Sequence, residues 1–303
     1  MNNISRAVWL FLVVCGLCLP RTGYGQELLF PQPAYSTGRY ATFVATGDFN
    51  RDGKADMVNI NRNDSSISVF LGNGNSTFQP KSDYATGSTP LSLAVADFNG
   101  DANPDIVVVD DYSDIMSIFF NNGNGTFAAR VNYVTGDSPA WVATGDLNGD
   151  NKQDIVILNN GEQSVSVFFN SGTGTFPSGI SYETVFTASC VAIGDLNGDG
   201  RADMAICNIN SSTVSVLINA GNGLFPTRVQ YPTGADPYGI VLSDFNGDNK
   251  LDVATVNYFS DTVSILINPG NGTLGANVNY RTGVDPHFLN VGDFNNDGKP
   301  DIV

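Results

Sequence analysis

The stretch Asp48-Phe-Asn-Arg-Asp-Gly-Lys-Ala-Asp56 (DFNRDGKAD) decides the fold, because it returns five times: DFNGDANPD at 97–105, DLNGDNKQD at 146–154, DLNGDGRAD at 195–203, DFNGDNKLD at 244–252 and DFNNDGKPD at 293–301. Each copy begins 49 residues after the last, with no insertion. Constant self-similarity at this period marks a repeat architecture. An apolar run precedes each copy (TFVATG, SLAVA, WVATG, CVAIG, GIVLS, FLNVG) and another follows it (MVNI, IVVV, IVIL, MAIC, VATV, IV). A third run (ISVFL, MSIFF, VSVFF, VSVLI, VSILI), a Gly/Asn turn such as 122–127, and a fourth run ending at Tyr84, Tyr133, Tyr182, Tyr231 or Tyr280 complete the unit. The runs are short, β-branched or aromatic, and bounded by Gly, Asn, Asp and Pro, which are strand signals. No segment keeps a helical period.

Four short strands per repeat predict an all-β fold, a β-propeller with one four-stranded blade per repeat. A β-solenoid is the alternative, but its rungs are usually shorter and need no hairpin turns at fixed offsets. Residues 29–35 (LFPQPAY) read as a fourth strand preceding five complete units that start near residues 41, 90, 139, 188 and 237. The sixth unit holds its first strand and loop and ends at Val303. We expect a chain truncated within its last blade, or a ring without its clasp, and six or seven blades when whole.

Composition agrees. Of 30 acidic residues only Glu27, Glu162 and Glu183 are Glu, and 33 Gly accompany the Asp, which speaks against a helical bundle. With 42% hydrophobic and 15% charged residues a core can form. A net charge of −16 leaves no basic stripe for phosphates, so nucleic acid is not an expected partner. Arg6 followed by the apolar run Ala7–Leu19 and the small residues Gly23 and Gly25 reads as a signal peptide over 1–25, with an uncleaved anchor as the alternative. The expected mature chain, 26–303, is secreted and has no membrane span. It keeps two of four cysteines, Cys190 and Cys207.

The chemistry lies in the nine-residue loops. Position 1 is Asp48, Asp97, Asp146, Asp195, Asp244 and Asp293; position 5 is Asp52, Asp101, Asp150, Asp199, Asp248 and Asp297; position 9 is Asp56, Asp105, Asp154, Asp203, Asp252 and Asp301. Position 3 is always Asn: Asn50, Asn99, Asn148, Asn197, Asn246 and Asn295. Side chains at 1, 3 and 5 converge when the backbone curls around a point. Position 7 (Lys54, Asn103, Lys152, Arg201, Lys250, Lys299) offers its backbone carbonyl, and position 9 closes the shell. Oxygen-only coordination suits Ca²⁺, up to six ions, one per loop. Position 6 is Gly53, Asn151, Gly200, Asn249 or Gly298, residues that tolerate a left-handed turn, but Ala102 in the second loop, which makes that loop the weakest expected site. An EF-hand needs an acidic ligand at position 12, which here falls in a strand. A self-capping Asp/Asn turn that binds nothing is the other reading. Zinc is disfavoured, since no loop holds His or Cys.

These loops, the Tyr-x-x-Gly-x-x-Pro links and the Gly-Thr-Phe turns resemble FG-GAP-like/VCBS repeats, over residues 28–303. The resemblance implies an integrin-α-like propeller, Ca²⁺ at the Asp and Asn positions of all six loops, and an extracellular binding or adhesion role. It fixes no ligand. A lectin, or an accessory propeller of a larger extracellular enzyme, is the alternative.

Chain direction puts the loops between strands 2 and 3 on the face opposite the Asp loops. Tyr112, Tyr258 and Phe259 there, with neighbouring Trp141, Tyr238 and His287, are candidate contacts for an extracellular protein or glycan. The plainer reading has solvated loops, and Trp141 in a core position shared with Phe43 and Phe288. We expect no catalysis: His287 is the sole histidine and no nucleophile or phosphate motif occurs. The simplest hairpin register sets Cys190 against residue 208, with the two thiols on opposite faces; a one-residue slip would permit a disulfide, and a buried thiol is the plainer reading. Asn63, Asn75, Asn124, Asn210 and Asn271 carry the N-glycosylation pattern.

Overall fold

The computed structural model describes residues 34–184, 187–221 and 223–303. The signal segment and most of the first expected strand (29–33) lie outside the described residues; Ala34 and Tyr35 are not in a strand. The described chain is all-β and builds the four-stranded antiparallel blades of a β-propeller, each a meander with strands in sequence order. Blade 1 consists of β1 (Ala41–Gly47), β2 (Asp56–Asn61), β3 (Ser66–Phe70) and β4 (Ser82–Ala85). Blade 2 consists of β5 (Pro90–Ala96), β6 (Asp105–Asp110), β7 (Ile115–Phe119) and β8 (Val131–Val134). Blade 3 runs through β9 (Pro139–Gly145), β10 (Asp154–Asn159), β11 (Ser164–Phe168) and β12 (Ile180–Glu183). Blade 4 is β13 (Ala188–Gly194), β14 (Asp203–Asn208), β15 (Thr213–Ile218) and β16 (Thr227–Pro232). Blade 5 is β17 (Pro237–Ser243), β18 (Asp252–Asn257), β19 (Thr262–Leu266) and β20 (Val278–Arg281). The sixth unit has only the pair β21 (Val291–Gly292) and β22 (Asp301–Ile302) among the described residues. The sheets stay separate; neighbouring blades pack through their first strands, β1 on β5, β5 on β9, β9 on β13 and β13 on β17.

Burial follows strand order. The second and third strands carry the core, and β6, β10, β14 and β18 are buried along their whole length. Both of their faces meet neighbouring blades, so they read as unbroken apolar runs rather than alternating ones. Fourth strands are largely exposed. Each apolar cluster spans a blade boundary: Phe49, Val58, Ile60 and Ile67 of blade 1 pack with Leu93, Ile106, Val108 and Phe119 of blade 2. Such faces bury little within their own repeat, so a blade draws its stability from its neighbours. A fourth-strand tyrosine reinforces three of the junctions: Tyr84 meets Phe127 edge-on with ring centroids 5.5 Å apart, Tyr133 meets Phe176 at 5.7 Å and Tyr182 meets Phe225 at 5.6 Å, and Tyr35, ahead of β1, meets Phe78 in the same way at 5.4 Å.

A buried polar row crosses this apolar core. Asn61, Asn159, Asn208 and Asn257 end the second strands of blades 1, 3, 4 and 5, each at most 1% exposed. The Asn61 amide donates to Ser66 and Ser68 at 3.1 and 2.8 Å, and Asn159 repeats the pattern with Ser164 and Ser166. The link glycine packs against this amide: Gly38 N–H donates to Asn61 Oδ1 at 2.8 Å, and a Cβ at Gly38 would collide with the Asn61 side chain. Blade 2 places Asp110 here instead. It is fully buried, and its Oδ2 accepts from Ser117 Oγ at 2.7 Å. Burial pushes its carboxyl up to about 6, against smaller lowering by Ser117, Gly87, Thr86 and the Arg130 charge.

A carboxyl whose folded pKa exceeds the unfolded value of 3.8 costs stability once it ionises. Asp110 therefore weakens the fold at neutral pH, and that cost disappears as pH falls through 6 toward 4. Asp110→Asn restores the side chain of the other blades. It should stabilise the protein at pH 8 by about 1–3 kcal/mol and leave stability unchanged at pH 4, which urea melts of both proteins at the two pH values will measure.

Candidate metal loops and the carboxylate belt

The six Asp loops connect first to second strands, and all six fold alike. The backbone turns left-handed twice. Position 6 has φ of +77° at Gly53, +64° at Ala102, +61° at Asn151, +82° at Gly200, +62° at Asn249 and +81° at Gly298. The turn expected at position 6 is therefore present throughout, and Ala102 takes it against a steric cost of ~1–2 kcal/mol. Position 4 is left-handed as well, at Arg51, Gly100, Gly149, Gly198, Gly247 and Asn296. Our sequence reading did not single out this second turn, although Gly in four of six copies was its signal.

These turns wrap backbone amides around the side chains of positions 1, 3 and 5. In loop 3 the Asp146 carboxylate accepts from the N–H groups of Gly149, Asp150 and Asn151 at 2.7–3.2 Å. Asn148 Oδ1 accepts from Asp150 N–H at 2.9 Å, and Asp150 Oδ1 from Lys152 N–H at 3.1 Å. Loops 2, 4 and 5 repeat this arrangement. Loops 1 and 6 keep it at positions 5, 6 and 7. Position 7 side chains turn back on position 5: Lys54 Nζ lies 3.0 Å from Asp52, Lys152 Nζ 3.1 Å from Asp150, Arg201 3.0 Å from Asp199 and Lys250 Nζ 3.6 Å from Asp248. The Lys54 hydrogen bond is the chief reason Asp52 sits below the usual carboxylate range. These pairs are exposed and add little stability.

Position 9 does different work. Asp56, Asp105, Asp154, Asp203 and Asp252 are fully buried, each the first residue of its second strand. Each carboxylate accepts two backbone amides. Asp105 takes Phe98 N–H at 3.0 Å and Asn121 N–H at 2.8 Å; Asp154 takes Leu147 at 2.9 Å and Asn170 at 2.8 Å. Asp56, Asp203 and Asp252 do the same with Phe49 and Gly72, Leu196 and Asn219, and Phe245 and Asn268. One carboxylate thus ties position 2 of its loop to the end of the third strand. In turn Asn121 Nδ2 donates to Phe49 O of the preceding blade at 2.9 Å, and Asn170, Asn219 and Asn268 reach Phe98, Leu147 and Leu196 at 2.6–2.8 Å. The result is a buried belt through blades 1 to 5, Asp to backbone to Asn to Asp. Sequence reading gave position 9 to the metal shell and missed these asparagines; Asn at 121, 170, 219 and 268, at the 49-residue period, was the available signal.

Burial raises all five belt carboxyls above 3.8, Asp105 to about 6, and the charges at positions 1 and 5 add to the effect. Hydrogen bonds to a charged acceptor oppose this shift and stabilise by roughly 1.5–3 kcal/mol each.

As a cation site the donor set fits a hard ion in kind. Carboxylate and amide oxygens stand at 1, 3, 5 and 9, and each oxygen that accepts one amide keeps a second lone pair. Among the described residues, no three His, Cys, Asp or Glu side chains are drawn together closely enough to enclose an ion.

A family model described as the FG-GAP-like repeat matches the chain five times, at residues 48–108, 97–157, 146–206, 195–255 and 244–303. The chain belongs to the FG-GAP-like repeat family. Every match starts at a position 1 Asp and successive matches start 49 residues apart, each running through the following Asp loop, so the FG-GAP-like repeat has the period of the sequence unit. No curated protein sequence matches. Among solved structures, a Lactobacillus plantarum protein superposes with TM-score 0.65 at 16% identity, over 82% of this chain and 73% of its own. A functionally unknown protein from Desulfotomaculum acetoxidans gives 0.60 at 19%, over 78% and 68%. Virginiamycin B lyase from Staphylococcus aureus gives 0.57 at 12%, over 84% and 74%. At these identities the likeness is one of fold.

The second candidate region, opposite the Asp loops, is partly assembled. Tyr238, Tyr258 and His287 form a mutual ring cluster with centroids 4.9–6.3 Å apart, and Phe259, 73% exposed, adds to Tyr258 at 5.1 Å. Trp141 joins Phe43 at 5.5 Å and Phe288 at 6.2 Å, so the shared repeat position packs its aromatics on one another from blades 1 and 3 and the sixth unit. Phe288 also meets Tyr238 at 6.5 Å, which connects the two groups. Tyr112 stands apart, 83% exposed and without a ring partner among the described residues.

The belt makes a specific demand. Asn170→Ala removes both donations of its amide, to Phe98 O and Gln153 O, and strands one buried and one half-buried carbonyl. The cost should be about 2–4 kcal/mol, read as a lower denaturation midpoint, whereas Asn122→Ala in the exposed turn of blade 2 should cost less than about 0.5 kcal/mol.

Proposed function

We propose that the protein is a secreted, calcium-stabilised propeller that binds an extracellular ligand and performs no chemistry of its own. The observation carrying the calcium reading is the sixfold recurrence of one curled loop with oxygen donors at positions 1, 3 and 5. The carboxylates at positions 1 and 5 and the buried one at position 9 repel one another, and a divalent cation removes that repulsion. Positions 1, 3 and 5 would hold the ion with the position 7 carbonyl, and position 9 would meet it from below while keeping its belt amides. Six ions would offset much of the formal charge of −16. Loop 2, with Ala102 at position 6, would hold its ion least tightly.

Calcium binding to the native state must raise stability. Addition of 1 mM Ca²⁺ should raise the melting temperature by several degrees over an EDTA-treated sample, and Asp244→Asn with Asp248→Asn should remove one ion from the titration stoichiometry without unfolding the chain. Equal melting temperatures in calcium and EDTA would refute the reading.

The recognition face is the aromatic patch of Tyr238, Tyr258, Phe259 and His287. Flat rings, three of them with polar atoms, each of Tyr238, Phe259 and His287 two residues along the chain from an acid (Asp236, Asp261, Asp285), suit a sugar, whose apolar face stacks and whose hydroxyls find acceptors. This favours a lectin-like role over a protein adhesin. The purified protein should bind members of a glycan array, and Tyr258→Ala should lower that binding at least tenfold; retention of binding in Tyr258→Ala and Phe259→Ala would exclude this face.

A further inference from the structure

The two cysteines outside the signal segment were expected on opposite sides of their hairpin, and the strand register corrects this. β13 and β14 pair Gly194 with Asp203, Ile193 with Met204, Ala192 with Ala205 and Val191 with Ile206. Because the position 9 Asp already belongs to the strand, the ladder runs one residue away from the simplest register. Outward of this the register shifts, with Ala188 paired to Asn208, so Ser189 and Cys190 together stand against Cys207 at a bulge. Equivalent residues are paired in other blades, Ser92 with Val109 in blade 2 and Gly239 with Val256 in blade 5. Both thiols are fully buried and unlinked in the structure. Cys190 is close enough to Cys207 to share a hydrogen bond, and burial together with this neighbour pushes the Cys207 thiol well up.

We propose that Cys190 and Cys207 form a cross-strand disulfide, a modification site that ties the innermost strand of blade 4 to the second. The equivalent residues of blades 2 and 5 are directly opposed beside the same bulge, and opposed residues on antiparallel strands have Cα atoms about 4.5–5.5 Å apart, inside the span a disulfide bridges. The oxidant is a small-molecule disulfide. One cysteine thiolate attacks it and expels one thiolate, and the second cysteine thiolate displaces the other from the mixed disulfide. The balance is two S–H bonds and one external S–S bond consumed, one internal S–S bond and two external thiols formed. The external disulfide takes up the two electrons. A buried thiol with a raised pKa reacts slowly, so the bond forms while the hairpin is still open. Its presence in the native source rests on the proposed secretion; its formation in vitro does not.

The test is refolding of the full chain from denaturant with and without a glutathione redox pair, followed by alkylation in denaturant and peptide mapping. Oxidative refolding should leave residues 190 and 207 unalkylated and joined in one peptide pair, and should raise the melting temperature by roughly 5 °C or more over the reduced protein. Cys190→Ser with Cys207→Val writes the Ser92/Val109 pair of blade 2 into blade 4, so it should fold and melt at one temperature in both buffers. Alkylation of both cysteines after oxidative refolding, glutathione adducts in place of the bridge, or a bridged form that melts lower than the reduced one would each overturn the proposal. Mapping of protein collected from a secreting host then reports separately on compartment: a bridge formed in vitro but absent there counts against secretion and not against the geometry.

Discussion

The carboxylate at position 9 is the constraint on which the rest depends. It is a buried charge, and it lies in the core only because two backbone amides, one from its own loop and one from the end of the third strand, point at it. Those two bonds decide where the second strand begins, how the loop enters the sheet and where the third strand stops. The asparagine beside it then passes the connection to the preceding blade. Apolar burial supplies most of the free energy of such a domain, but it is indifferent to small slips in register. The polar belt is not, because a slipped blade would leave carbonyls, amides and a carboxylate unpaired in a dry interior.

This arrangement splits the acidic residues into two populations. Those at positions 1 and 5 face solvent across a loop whose backbone they have organised, and their remaining lone pairs are what a cation would use. Those at position 9 face inward and are committed to the fold. The same nine-residue segment thus holds a ligand set and a keystone four residues apart. Replacement of position 9 would confound any test of metal binding with loss of the blade, whereas replacement at positions 1 and 5 reads the metal more cleanly.

Much of the architecture was legible in the sequence because the repeat period is constant. Six loops, four strands per unit, the left-handed turn at position 6 and the shared aromatic position of Phe43, Trp141 and Phe288 all follow from aligning the chain on itself. What was not legible depends on partners far along the chain. The belt asparagines lie 72 residues from the carbonyls they bind, so nothing local distinguishes Asn121 from the turn residue Asn122. The Cys190 register was misjudged by one residue because Asp203, read as a loop ligand, is the first rung of the ladder. Nothing local marks Asp110 as a core residue; its burial is what places it in the row of Asn61, Asn159, Asn208 and Asn257.

The separation of 72 residues is the same at each belt crossing, from Phe49 to Asn121, Phe98 to Asn170, Leu147 to Asn219 and Leu196 to Asn268. It equals one 49-residue repeat plus a fixed offset within the next. Gain or loss of a whole repeat by gene duplication or deletion therefore leaves every remaining crossing in register, while gain or loss of one residue between loop and third strand breaks two. The geometry therefore tolerates a change in copy number far better than a change in unit length, and the six loops here are spaced without a single insertion.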